Sequence, residues 1–203
     1  MYIPKYFQLS DQQEAVNFMQ RYSFATIISA DNDIPVATHL PFLIETRVDK
    51  IVLCSHFAKA NPQASALIDK CVLVIFTEPH AYISPTNYEK QTNVPTWNYL
   101  AVHGYGKAVL LSQGEQTVDL LAQMIINYEP AYLQQWDSLP NDYKQNMANG
   151  IIAFEIIVDD LQGKQKLSQN RSAIERDNII NSLNKAGNSN EREIAAYMEK
   201  SKN

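Results

Sequence analysis

The apolar positions of this chain fall more often into short strand-like runs than into helical stripes. Phe24 to Ala30 (FATIISA) and Ile34 to Glu45 (IPVATHLPFLIE) are rich in β-branched and aromatic residues, and Asp31, Asn32 and Asp33 between them favour a turn. This predicts a hairpin. Further strands are expected at Ile51 to Ser55, Val72 to Phe76, Val102 to Leu111 and Ile151 to Gly163, and the unbroken apolar content of VLVIF predicts burial on both faces. Helical spacing is rarer. Ser10 and Asp11 cap a segment whose Ala15, Val16, Phe18 and Met19 share one face, and Leu120, Leu121, Met124 and Ile125 form a second stripe after Gly114. Asn61 and Pro62 open a helix expected to run to about Ile68. Pro130 ends the second stripe, Pro140 starts another turn or two, and two helices close the chain, Ala173 to Lys185 and Ser189 to Lys200.

Six strands with hairpin connections and few crossover helices imply a mainly β fold with α, an antiparallel barrel with peripheral helices and a C-terminal helical pair. Residues 1–163 are expected to form the barrel domain and 164–203 a loop and helical extension packed on it or swapped. Strands do not alternate one to one with helices, and neither GxGxxG nor GxxxxGK[ST] occurs, which disfavours the usual dinucleotide and nucleoside triphosphatase sites.

One stretch departs from ordinary connecting chain. From Pro79 to Gly106 it carries His80, His103, Trp97, Tyr82, Tyr88, Tyr99 and Tyr105 together with three prolines. Connections are usually short and polar. A long one rich in rings suits either a binding surface for a flat, partly polar ligand or an aromatic contact between subunits.

Composition narrows the picture. The 203 residues are 45% hydrophobic and 19% charged, enough for a real core, and the formal net charge of -5 disfavours a surface that tracks phosphate backbones. No apolar run approaches the roughly 18 residues of a membrane span, and the N-terminus lacks an apolar stretch of signal-peptide length, so a cytoplasmic protein is expected. Cys54 and Cys71 sit in apolar runs without metal-ligand spacing and are expected to be buried, reduced thiols.

Candidate chemistry concentrates in three places. Ser55, His56, Lys59 and Asn61 precede Pro62, where a strand end carrying donors meets a helix start suited to a phosphate or carboxylate; alternatively Asn61 is only a cap and Lys59 is solvated. His39 lies in a strand, where a lone histidine is more often a hydrogen-bonded structural group than a catalyst, while His103 beside Tyr105 can donate to a ligand or a partner backbone. Lys166 to Arg171 (KLSQNR) forms a donor-rich loop that can close over a ligand, with Arg171 offering a planar fork, or can simply lead into a helix capped near Ser172. No HxxxH or HxH spacing supports a metal, and no GxSxG supports a nucleophile.

The motifs MYIPKYF, ATHLPF, HFAKANPQ, PHAYISPTNY, VPTWNYLAVHGYG and KLSQNR, in that order, resemble those of the PaiB-type FMN-binding proteins, often labelled negative transcriptional regulators. The resemblance covers nearly the whole chain. It implies an FMN-binding split barrel, related to pyridoxamine 5'-phosphate oxidase, acting as a homodimer with FMN in a groove between subunits. Ser55, His56, Lys59 and Asn61 would hold the FMN phosphate, and Thr38, His39 and Leu40 would run along the flavin edge. Trp97, Asn98, Tyr99 and His103 would form the dimer-facing wall, and Gln169, Asn170 and Arg171 would close the site. The resemblance implies a flavin-dependent oxidoreductase on a small substrate or, alternatively, a transcriptional regulator whose barrel binds flavin, haem or another effector. One departure matters: the oxidase branch has a strand rich in arginine and lysine where this chain has ATHLPFLIE, so pyridoxamine phosphate oxidation is not carried over. DNA binding has weak support, since the segment from Arg171 to Asn203 holds six Lys or Arg against five Asp or Glu.

Overall fold

Among the described residues, seven strands form one continuous path of hydrogen-bonded neighbours, and an eighth pairs off that path. The computed structural model describes residues 1–31, 33–67 and 70–201, so Asn32 of the expected turn and the helix end expected at Ile68 lie outside the described residues. In chain order the strands are β1 (Gln8–Leu9), β2 (Phe24–Asp31), β3 (Ile34–Pro41), β4 (Leu43–Arg47), β5 (Lys50–Ala58), β6 (Cys71–Ile83), β7 (Thr96–Leu110) and β8 (Ile151–Lys166). The helices are α1 (Gln12–Arg21), α2 (Glu115–Tyr128), α3 (Leu133–Ser138), α4 (Asn141–Ala148), α5 (Ala173–Asn184) and α6 (Ser189–Lys200). The sheet order is β3-β2-β6-β7-β8-β5-β4, with β1 on β8. β2 pairs antiparallel with β3 and β6, and β5 with β4 and β8. The path does not close on itself, as in a split barrel.

Among the described residues eight strands stand where six were expected, for two local reasons. The Ile34 to Glu45 run breaks at Phe42, whose N–H donates to the Ser23 carbonyl at 2.9 Å and whose carbonyl accepts from the Tyr128 hydroxyl at 2.8 Å. The N–H bond carries the β2–β3 pairing one residue past the start of β2, and the carbonyl is taken by a side chain, so the run is interrupted at Phe42. β1 has only two residues, too few for any periodicity. The ring-rich stretch also changes character: β6 continues to Ile83 and β7 begins at Thr96, so only residues 84–95 connect them. Aromatic residues fit a pleated, half-buried surface, but Pro79, Glu78 and His80 hide the alternation in the sequence. VLVIF is buried on one face only, with Val72, Val74 and Phe76 inside and Leu73 and Ile75 half-exposed.

The chain forms two compact units. One comprises Val16–Phe76 and His103–Leu161. Its interior is a ring cluster, with Phe42 against Phe76 at 5.8 Å and Phe154 at 6.2 Å, and Phe57 against Phe154 at 5.0 Å between centroids. Edge-on and offset rings of this kind gain energy beyond the area they bury. Leu120 and Met124 of the α2 stripe pack with Leu43, Val52, Cys54 and Ala153. The other unit comprises Met1–Ala15, Thr77–Val102 and the chain from Gln162 on. There β1 pairs with β8 through Gln8 and Lys164, and α5 and α6 bury Ile179, Leu183, Ile194 and Met198.

The two thiols differ, against the expectation that both are buried. Cys71 is exposed. Cys54 is fully buried, and burial first, then the charges of Glu155 and Glu45, push its thiol up to about 12. Ellman's reagent should therefore titrate one thiol per native chain and a second only in denaturant; two fast thiols would contradict this packing.

Candidate functional site

The strand end around β5 is built from a buried polar network. Asn61 precedes the helix expected after it, which is a 3-10 helix, Pro62–Leu67. The Asn61 Oδ1 accepts from the Gln63 N–H at 2.9 Å, and its Nδ2 donates to Thr38 Oγ1 at 3.1 Å. The Thr38 hydroxyl donates to Gln63 Oε1 at 2.6 Å. Gln63 is 2% exposed, and its Nε2 faces the Ser29 hydroxyl and the Val36 carbonyl at 3.1 Å and the Ile27 carbonyl at 3.3 Å. The amide thus ties this turn to β2 and β3.

The four expected anion donors divide in two. Asn61 uses both ends of its amide inside the protein, and the Ser55 hydroxyl donates to the Pro41 carbonyl at 2.6 Å. Lys59 is exposed, with its backbone N–H donating to Gly150. His56 has a buried Nδ1 with no partner, and burial lowers its pKa below the ordinary 6.5, so the ring is neutral at pH 7. A buried imidazole nitrogen without a partner, near an exposed ammonium in sequence, fits a polar ligand at this strand end. A six-residue 3-10 turn carries little macrodipole, so the side chains must do the holding. On β3, His39 is exposed, hydrogen-bonded to Thr26 Oγ1 at 2.9 Å and stacked near Phe24, while Leu40 is half-buried. His103 is half-buried beside Tyr105, its Nδ1 is buried and unpartnered, and burial lowers its pKa too.

Trp97, Asn98, Tyr99, Gln169, Asn170 and Arg171 belong to the other unit. Asn98 is fully buried, accepting from the Ser168 hydroxyl at 3.0 Å and facing Met198 Sδ at 3.5 Å. Trp97 is 51% exposed and packs against His80 and Tyr82, each at 5.8 Å between centroids. Gln169 shapes its own turn, accepting from the Leu167 N–H and donating to the Gln165 carbonyl, both at 2.7 Å. Asn170 is exposed. The Arg171 guanidinium lies 3.8 Å over the Tyr88 ring and donates to Asn93 Oδ1 at 2.9 Å. Ser172 caps α5 and donates to Glu89, so the KLSQNR loop is fastened to the connection between β6 and β7.

Sequence reasoning passed over Gln63, Asn93, Lys164 and Thr96. Only Gln63 carried a signal, its place directly after the Asn-Pro helix start. An open depression lined by Leu43, Glu45, Gln123, Ile126 and Asn127 contains none of the expected residues. Among the described residues no group of three His, Cys, Asp or Glu is placed to hold a metal ion, and no helix is long and apolar enough to cross a membrane.

Comparison with known proteins agrees with the motif resemblance. A family model described as "Putative FMN-binding domain" matches residues 1–160. The "Protease synthase and sporulation protein PAI 2" of Bacillus subtilis is 41% identical over 203 residues, covering 98% of this chain and 97% of that protein. An uncharacterized protein of Emericella nidulans is 31% identical over 190 residues, covering 74% and 76%. Among solved structures, a flavocytochrome from Azotobacter vinelandii aligns with a TM-score of 0.64 at 14% identity, covering 81% of this chain and 72% of its own. An FAD and heme binding protein from Mycobacterium smegmatis aligns at 0.62 and 14%, covering 78% and 73%. At that identity the two structures speak for the fold alone.

Proposed function

The chain belongs to the FMN-binding domain family whose model spans residues 1–160, and from that premise we propose that it binds FMN and serves as a cytoplasmic, homodimeric flavin-dependent oxidoreductase on a small substrate. The family match carries this reading. Bound flavin would supply the electron chemistry, and the protein would bind, orient and shield it. Lys59 would hold the phosphate, and the neutral His56 ring would offer its buried, unpartnered Nδ1 to the ligand. Thr38, fixed by Asn61 and Gln63, and Leu40 would line the flavin edge. Asn98, Gln169 and Arg171 would support the dimer-facing segment through the bonds they make within it.

Replacing Lys59 with Ala is expected to weaken FMN binding about three- to tenfold, since one charge-assisted contact at an exposed position is lost. Fluorescence titration measures it, and an unchanged affinity removes Lys59 from the site. A dimer is expected by light scattering at about 10 μM protein, motivated by the exposed rings of Tyr82 and Trp97. A monomer would sink the shared groove. The regulator reading has less support from the tail helices. Arg176 donates to the Met198 carbonyl and to Ser201, and Arg192 to the Ala186 carbonyl, so these arginines are occupied within the tail.

A further inference from the structure

Two lysines on β8 stand together without an acid. Lys164 is 8% exposed; its Nζ donates to the Tyr2 carbonyl at 3.1 Å and lies 5.2 Å from the Tyr99 ring centroid and 5.9 Å from that of Tyr2. Lys166 is half-buried and donates to Thr96 Oγ1 and, at 2.9 Å, to the Trp97 carbonyl. Every one of these partners is neutral. Among the described residues no carboxylate of the same unit lies within salt-bridge distance of either ammonium. Burying an ammonium is costly unless an anion compensates it, and two side by side on one strand face add repulsion. Burial, and after it the charge of Lys164, lowers the pKa of Lys166. Each ammonium has three N–H groups, so the bonds above leave two on Lys164 and one on Lys166 for a ligand. Beside them, on β7, Trp97 is half-exposed in a tilted cluster with His80 and Tyr82.

We infer that Lys164 and Lys166 form an anion-binding subsite that takes the carboxylate or phosphate of a small molecule carrying a flat ring, with Tyr99 and Trp97 supplying the apolar shelf. The site is built from residues other than the Lys59 and His56 strand end and stands whether or not the flavin reading holds. A carboxylate or phosphate would accept the unspent N–H groups and offset the paired charge, while the ring would cover exposed aromatic surface.

The test uses the full chain, with benzoate followed by saturation-transfer NMR and inorganic phosphate by 31P line width. The wild type is expected to bind at least one of the two. Lys164→Met and Lys166→Met should each weaken it by about tenfold or more, whereas Lys166→Arg retains it. Circular dichroism checks that the variants are folded, and the wild-type signals need no variant. Absence of both signals in the wild type up to about 20 mM ligand, or equal signals in the Met variants, overturns the subsite. Competition identifies the source of the anion. Displacement by FMN but not by riboflavin assigns it to a flavin phosphate; binding that persists in the presence of FMN assigns it to a separate acidic ligand. Flavin affinity is read independently by fluorescence, so loss of one reading leaves the other measurable.

Discussion

Gly106→Ala is expected to destabilise the protein by about 3 kcal/mol or more, at the upper end of what overpacking usually costs. A Cβ at this position of β7 would lie 2.1 Å from the Ile157 carbonyl oxygen, 2.9 Å from Ile156 Cγ2 and 3.0 Å from the Ile157 carbonyl carbon. Backbone atoms in a ladder cannot rotate away as a side-chain tip can, so β7 and β8 must separate locally. Gly104→Ala is the matched control. Its Cβ would meet nothing closer than Leu53 Cδ1 at 3.4 Å, the flexible end of a side chain, and the change should stay within about 1 kcal/mol. Urea unfolding of the two variants measures the difference. Equal midpoints would mean that β7 and β8 do not approach as closely as the structure places them.

Gln63→Leu is expected to cost about 2 to 4 kcal/mol, although it keeps roughly the same volume. The substitution removes the partner of the Thr38 hydroxyl at 2.6 Å and strips the Ser29 hydroxyl and the Val36 and Ile27 carbonyls of the shared Nε2 donor. Buried polar groups left unpaired carry their full desolvation cost. Gln63→Glu should be worse at neutral pH, because a carboxylate would face two carbonyls where an amide donor stood. Its folded-state pKa would be raised above the unfolded value, so the extra penalty shrinks as pH falls and the proton supplies a donor. Urea midpoints at pH 7.5 and at about pH 5 separate the two variants. A Gln63→Leu protein as stable as the wild type would show that the amide is not holding the turn. Because Thr38 and Asn61 belong to the same network, FMN affinity should fall along with stability.

Much of this was legible in the sequence because local patterns and tertiary packing agree. The α1 face of Ala15, Val16, Phe18 and Met19 is buried as its spacing requires, and α5 and α6 begin where Ser172 and the Asn188 side chain cap them. Phe24 to Ala30 and the residues following Ile34 pair as a hairpin. The failures have identifiable causes. Pro41 and Phe42 look like continuing strand, but the Phe42 backbone is claimed by Ser23 and Tyr128, partners a window of sequence cannot see. β6 and β7 extend into the ring-rich segment because aromatic side chains pack on strands, whereas prolines and polar residues there suggest a loop.

The candidate site was legible to a lesser degree for a related reason. Residue type announced which groups can meet an anion but not which are already engaged. Ser55 and Asn61 look like ligand donors and bond inside the protein instead, while Gln63, of a type usually found at the surface, is buried as the network's hub. Arg171 shows its fork in the sequence, yet its partners Tyr88 and Asn93 lie in a distant part of the chain. The Lys164 and Lys166 pair shows only when the acids around it can be counted.

The central claim, that this chain binds FMN, is tested most directly by the absorbance spectrum of freshly purified protein, followed by titration of the protein into FMN. The account predicts flavin bands at about 370 and about 450 nm with FMN as the extracted chromophore or, for colourless protein, saturable quenching of added FMN at one flavin per chain. Colourless protein that leaves FMN fluorescence unchanged up to about 100 μM would contradict it.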